Sequence, residues 1–460
     1  MKNTLSKEIF KAYDIRGIVG KTLTTETARL IGQALGTVAR EKKVKALVIG
    51  RDGRLSGPDL SHALAEGIRA TGTDVVDVGR VATPMLYFAA HELGTYSGVM
   101  VTGSHNPPDY NGFKMVMAGD TLSGDAIEAL YQRIVARDFE TGEGQYRTHD
   151  ISEAYFERIT GDIKLERPMS IVVDCGNGVP GAFAPILYRR LGCRVRELFC
   201  DVDGHFPNHH PDPAKPENLQ DVIQALEKTD AEVGLAFDGD GDRLGVVTKD
   251  GNIIWPDRQL MLFAADVLER NPKARIIYDV KCTRLLADWI RENNGTPEIS
   301  RTGHSFMKAA LKAHDDALLA GEMSGHVFFK ERWYGFDDGM YAGARLLEVL
   351  SRVDDPSALL NALPNAVSTP ELNLKMAHEG ENHALIEKLQ ATASFTDARD
   401  VITIDGLRVE YADGFGLMRA SNTTPVIVLR FEADDQAALE RIQDDFRRVL
   451  APEVDAPLPF

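Results

Sequence analysis

Cysteine is scarce. The 460 residues contain four (Cys175, Cys193, Cys200 and Cys282) and no Cys-x-x-Cys pair, which excludes a disulfide framework or a cysteine zinc site and leaves the four to be read as core residues in a reducing compartment. No apolar run approaches the ~20 residues needed to cross a bilayer. Residues 1–17 carry Lys2, Lys7, Glu8, Lys11, Asp14 and Arg16 where a signal peptide would have its apolar region, so the expected compartment is the cytoplasm and no membrane partner is expected. Basic residues are in deficit, 52 Lys and Arg against 69 Asp and Glu, for a net charge of −17. A broad nucleic-acid or anionic-membrane surface is therefore not expected, and any basic site must be local. The 43% hydrophobic and 26% charged content excludes wholesale disorder, and the length suits about three domains of roughly 150 residues.

What is present begins with a repeat. An apolar run ending in Asp, a short turn, a helical pattern, a Gly and a second strand-like stretch occur three times: Leu47–Ile49 to Asp52, then Gly72 and Val75; Ile171–Val173 to Asp174, then Gly192 and Val195; Ile276–Tyr278 to Asp279, then Gly295 and Ile299. Apolar strands alternating with amphipathic helices predict three α/β domains with mixed, mostly parallel sheets. The C-terminal stretch reads differently. Val401–Ile404, Leu407–Tyr411 and Val426–Phe431 are short strand-like runs, and Leu439, Ile442, Phe446, Val449 and Leu450 recur at helical spacing, predicting a smaller C-terminal α+β domain. Asp354 to Pro370, with three prolines, reads as linker. The expected boundaries are 1–150, 151–255, 256–366 and 367–460.

Four strand ends and turns carry chemistry. Asp238-Gly239-Asp240-Gly241-Asp242-Arg243 follows an apolar strand. Three carboxylates at alternate positions repel unless a cation lies among them, oxygen-only ligation favours Mg²⁺ or Ca²⁺, and Arg243 can hold an anion beside the metal. An EF-hand is excluded by Arg243 and Lys249 at its Gly and Glu positions. Thr102-Gly103-Ser104-His105-Asn106-Pro107 follows Val99–Val101; adjacent Ser and His are not expected to form a hydrolase-type pair, and no Gly-x-Ser-x-Gly elbow is present. Arg419-Ala420-Ser421-Asn422-Thr423-Thr424-Pro425 offers a guanidinium, hydroxyls and turn amides suited to a phosphate dianion. Gly321-Glu322-Met323-Ser324-Gly325-His326 offers acceptors for sugar hydroxyls.

Other patterns are weaker. Gly17 to Thr22 lacks the first Gly of a P-loop, and Gly176 to Gly181 resembles a dinucleotide fingerprint but reads better as a strand-to-helix turn. His205, His209 and His210 stand among prolines, which favours an ordered loop over a zinc cluster.

With these residues in order, the sequence resembles the α-D-phosphohexomutase superfamily, and within it the bacterial phosphomannomutase/phosphoglucomutase group. The likeness rests on Lys11-Ala12-Tyr13-Asp14-Ile15-Arg16-Gly17 and the loops at 102–107, 238–243, 321–326 and 419–425, and it spans nearly the whole chain. It implies four domains around a central cleft, monomeric or weakly dimeric, acting on small sugar phosphates. Ser104 would be the phosphorylated nucleophile, passing its phosphoryl group to a hexose 1-phosphate. The resulting hexose 1,6-bisphosphate, both intermediate and activator, would turn round and return the other group. Mg²⁺ would sit on Asp238, Asp240, Asp242 and the phosphate of Ser104. Arg16 and Arg243 would support the transferring group, with Lys114 and His326 as candidates to move the hydroxyl proton. Arg419, Ser421, Asn422 and Thr423 would clamp the other phosphate, Glu322 and Ser324 (with His326) would hold sugar hydroxyls, and Tyr13, Lys281 and His304 would line the cleft. Met323 and Gly103 differ from the residues usual in phosphoglucosamine mutases, and Asn422 and Thr424 from those common in other subgroups, which favours the mannose/glucose group and leaves its preference between the two sugars open. The competing expectations are a phosphoglucosamine mutase, a Mg²⁺-dependent sugar-phosphate phosphatase and an NAD-dependent oxidoreductase.

Overall fold

The computed structural model describes residues 5–378, 380–422 and 424–460. The repeat is realised three times. Ala46–Arg51 lies parallel to both Asp74–Arg80 and Gly98–Val101. Ser170–Asp174 lies likewise between Arg194–Leu198 and Val233–Phe237, and Arg275–Asp279 between Thr296–Ser300 and Ala317–Gly321. In each unit the last of these strands has an antiparallel neighbour on its other side: Tyr110–Met117, Leu244–Thr248 or Val327–Phe329. Strands such as Ile171–Val173 are apolar throughout because helices cover both faces of a mostly parallel sheet.

The C-terminal unit is an antiparallel sheet built around Gly414–Ala420 and Val426–Ala433. Helix Gln436–Leu450 buries Leu439, Ile442, Phe446 and Leu450 against it. The helix starts at Gln436 because the Asp435 side chain accepts from Ala438 N and caps it. Arg408 docks this unit on the third one, donating to the carbonyls of Val280 and Cys282 at 2.6 Å each.

Two expectations are corrected. The linker contains a helix, Pro356–Asn361, capped by Asp355; proline opens it because the first turn needs no N–H from that residue. Cys200 is not a core residue: it lies past a strand end, partly exposed, with Sγ 3.7 Å from that of buried Cys175. Among the described residues no helix is long and apolar enough to cross a membrane.

Candidate active site

The three motif loops leave equivalent strands. Residues 102–107 follow Gly98–Val101, residues 238–243 follow Val233–Phe237, and residues 321–326 close Ala317–Gly321. Each of these strands is the parallel neighbour of the Asp-terminated one, at the carboxyl end of a sheet where α/β folds build their sites. The repeat therefore supplies three loops to one place. The strand-end carboxylates anchor two of them: Asp52 Oδ2 accepts from Thr102 Oγ1 (2.8 Å) and Gly103 N (3.1 Å), and Asp279 Oδ1 accepts from Met323 N (3.1 Å).

Ser104 is buried, 1% exposed, and holds a left-handed φ of 49°. That conformation is uncommon outside glycine, and here it brings Oγ 3.1 Å from Asp238 Oδ2 and 3.2 Å from His105 Nδ1. The adjacent Ser and His thus do meet, contrary to expectation. Burial, with Arg243, Arg16 and Lys114 nearby, pushes His105 well below the usual imidazole range, so it is neutral. Arg16 reaches the same loop, donating to Asn106 Oδ1 at 2.5 Å while paired with Asp14.

Asp238, Asp240 and Asp242 are fully buried, and one oxygen of each lies within 4.8 Å of the others. Glycine is required beside them: a Cβ on Gly239 would stand 2.4 Å from the Ser104 carbonyl oxygen, so the metal-type loop packs directly on the serine loop. Asp238 Oδ1 accepts from the amides of Gly241, Asp242 and Arg243 at 3.0–3.2 Å. Lys114 Nζ donates to Asp240 Oδ2 (2.8 Å) and Asp242 Oδ2 (2.5 Å). Of the other oxygens, Asp240 Oδ1 is buried without a hydrogen bond, and Asp242 Oδ1, likewise without one, is ion-paired with His326 Nε2. Orphaned hard oxygens at this spacing fit an oxygen-ligated divalent cation.

The electrostatics divide the trio. Burial raises the pKa of Asp238, its two neighbours raise it further, and it stands well above the carboxylate range. At Asp242 burial is outweighed by Lys114 and His326, which hold it well below. Lys114, despite burial, is raised well above its ordinary value by Asp240 and Asp242 and stays charged.

His326 joins the second loop to the third. Residues 243 and 326 form an isolated β-bridge, Arg243 Nε lies 3.3 Å from His326 Nε2, and Asp242 Oδ1 lies 3.3 Å from the same nitrogen. Its Nδ1 faces Glu322 Oε2 (3.1 Å) and Ser324 Oγ (3.0 Å). Burial lowers its pKa, but the carboxylates of Asp242 and Glu322 beside it outweigh that and raise it to about 9. Glu322 Oε1 accepts from Gly303 N (2.6 Å). His304, neutral by burial, has both ring nitrogens unbonded and stands edge-on to Tyr13 at 5.6 Å.

From the C-terminal unit, Arg419 Nε donates to Asp405 Oδ2 (3.0 Å) while its Nη2 is buried and unbonded. Ser421 Oγ accepts from Thr424 N (3.3 Å), and Asn422 is half-buried beside it. Thr423 lies outside the described residues. Lys281 is paired with Glu371 at 3.1 Å. Sequence reasoning missed Arg54, Asp337 and Asn382. Asp337 is buried, with Oδ1 on Lys308 (3.0 Å) and Oδ2 3.8 Å from His326. Asn382 Nδ2 donates to the carbonyls of Ser421 and Val426, holding the 421–426 turn.

Such a gathering of fixed cations, orphaned carboxylate oxygens and a buried hydroxyl, with all four units contributing, defines an enzyme of phosphoryl transfer. The chain matches the phosphoglucomutase/phosphomannomutase alpha/beta/alpha domains I, II and III over residues 7–141, 153–251 and 255–367, and the C-terminal domain over 371–449. It belongs to the phosphoglucomutase/phosphomannomutase family. It is 61% identical over 449 residues to a phosphoglucomutase of Neisseria gonorrhoeae, covering 97% of each chain. It is 55% identical over 459 residues to a phosphomannomutase/phosphoglucomutase of Pseudomonas aeruginosa, covering 99% of this chain and 98% of that one. The crystal structure of a phosphoglucomutase/phosphomannomutase family protein from Burkholderia thailandensis superposes with a TM-score of 0.95 at 64% identity, covering 99% of this chain and all of that one.

Proposed function

We propose that this chain interconverts hexose 1-phosphates and hexose 6-phosphates, of glucose and of mannose, with Ser104 carrying the phosphoryl group between two sugar oxygens. The observation that carries the reading is the position of Ser104 Oγ, 3.1 Å from Asp238 and enclosed between the second and first repeat loops. A mutase must hand the group to a sugar and not to water, and burial of the serine serves that choice.

Phosphoryl transfer asks for in-line positioning and charge stabilisation more than for covalent help. Asp238, Asp240, Asp242 and the serine phosphate would hold Mg²⁺, which would neutralise charge on the transferring group. Arg16, on strand Ile15–Ile18, and Arg243, at the end of the second loop, would support the same group. Neutral His105 can accept the Ser104 proton when Oγ attacks the bisphosphate. The protonated His326 can give a proton to a departing oxygen, and Lys114, also protonated, adds a fixed positive charge.

At the far end, Arg419 offers its unbonded Nη2 to the phosphate that is not transferring, with Ser421 and Asn422 in the turn that follows. Glu322, Ser324 and His304 face the hydroxyls that glucose and mannose share, with Tyr13 and Lys281 lining the cleft. Between the two transfers the hexose 1,6-bisphosphate reorients, and added bisphosphate rephosphorylates enzyme that has lost its group. Incubation with glucose 1-phosphate or mannose 1-phosphate should give the 6-phosphate with no stoichiometric release of inorganic phosphate, and chelation should stop it. Stoichiometric phosphate release would establish a phosphatase instead.

A further inference from the structure

We infer that Arg54, assisted by His210 from the second α/β unit, is the positioning residue that fixes where Ser104 presents its hydroxyl. The inference rests on the reading of Ser104 as phosphoryl carrier and assigns a role to two residues that the chemistry above leaves unused.

Arg54 is 2% exposed and spends its guanidinium on the backbone of the serine loop. Nη2 donates to the carbonyls of Ser104 (2.9 Å) and Asn106 (2.6 Å), and Nη1 to those of Pro107 (2.5 Å) and Tyr110 (2.9 Å). Nε faces Asp52 Oδ2 at 3.3 Å, the same oxygen that accepts from Thr102 and Gly103. The pair therefore grips the loop on both sides of Ser104. Gly103 records the grip, since a Cβ there would stand 2.3 Å from the guanidinium carbon.

The second unit closes over this arrangement through the Pro-rich histidine loop. Phe206 lies with its ring centroid 5.2 Å from the guanidinium carbon, and His210 Nε2 donates to the carbonyl of His105. A Cβ on Gly204 would be 2.8 Å from Leu55 N, so the two backbones touch. Ser104 needs such restraint. A left-handed φ at a non-glycine residue is strained and persists only where the surroundings over-determine it. With its terminal nitrogens engaged by four carbonyls and Nε against Asp52, Arg54 leaves nothing for substrate, which separates its role from those of Arg16 and Arg243. A lysine keeps the charge but concentrates its donors at one point and cannot span four carbonyls.

The test compares Arg54→Lys, His210→Leu and His210→Gln with wild type, measuring kcat and KM for glucose 1-phosphate, thermal melting, and phosphate on the Ser104 peptide. Misplacing a reacting atom by about 1 Å can cost ~100-fold. On that scale Arg54→Lys should lose about 100-fold in kcat with KM within about threefold, in protein that melts cooperatively. His210→Leu should lose roughly tenfold, and His210→Gln, which keeps an N–H donor, should recover most of it. Wild-type kcat in folded Arg54→Lys, or a loss shared equally by kcat and the folded fraction, overturns the inference. If Arg54→Lys does not fold, equal kcat for His210→Leu and wild type overturns it. Absence of phosphate on Ser104 in active wild-type protein defeats the carrier reading and this inference with it; its presence alongside indifferent variants defeats this inference alone.

Discussion

Lys114 Nζ lies 2.5 Å from Asp242 Oδ2, a buried ammonium set against a carboxylate of the candidate metal trio. The cation neutralises part of the charge that would otherwise attract a divalent ion. At an effective dielectric constant of about 20, a unit charge at ~4 Å is worth about 4 kcal/mol, of which a fraction survives competition from protons.

Lys114→Met, which keeps the length of the side chain, should therefore bind Mn²⁺ about tenfold more tightly or better. Turnover should fall by roughly 100-fold, because a charge at the reacting group is lost. Titration calorimetry and steady-state rates give both numbers, and weaker Mn²⁺ binding would show that Lys114 supports the trio in some other way.

Arg419 presents Nη2 buried and unbonded, with Nε fixed on Asp405. Losing a charge-assisted hydrogen bond costs roughly 1.5–3 kcal/mol, so Arg419→Ala should lower kcat/KM on glucose and mannose phosphates by about one to two orders of magnitude. The ratio between the sugars should hardly move, because a phosphate carries no information about the hydroxyl that distinguishes them. A large shift in that ratio would mean that Arg419 also reads the sugar.

Away from the cleft, buried Asp266 accepts from Arg270, Arg345 and Arg352. Burial raises its pKa, but these guanidinium partners outweigh burial and hold it well below the carboxylate range. The stabilisation is complete above the unfolded value of about 3.9 and is lost as pH falls through the folded one. Melting temperature should drop as pH is lowered below about 4. Asp266→Asn should flatten that dependence and cost about 3 kcal/mol at neutral pH, since Arg345 loses a buried partner. An unchanged acid limb would place the acid-labile group elsewhere.

The architecture was legible because each repeat ends its first strand in an aspartate with a visible job. Asp52 and Asp279 anchor the loops that follow neighbouring strands, and apolar runs in parallel sheets leave an unmistakable pattern. Arg54 was not legible: the carbonyls it binds are fifty or more positions away and impose no side-chain pattern. The contact between Ser104 and His105 was hidden by the left-handed φ at Ser104, which brings together neighbours that ordinary backbone keeps apart. The helix at Pro356–Asn361 was masked by prolines that open a turn as readily as they prevent one.

The most direct measurement follows the phosphoryl group itself. Protein treated with isotopically labelled glucose 1,6-bisphosphate, freed of ligand and digested, should carry the label on the peptide containing Ser104, and a chase with unlabelled mannose 1-phosphate should move it to mannose bisphosphate and mannose 6-phosphate. Label on another residue, or label on Ser104 that leaves only as inorganic phosphate, would contradict Ser104 as the carrier between sugar oxygens.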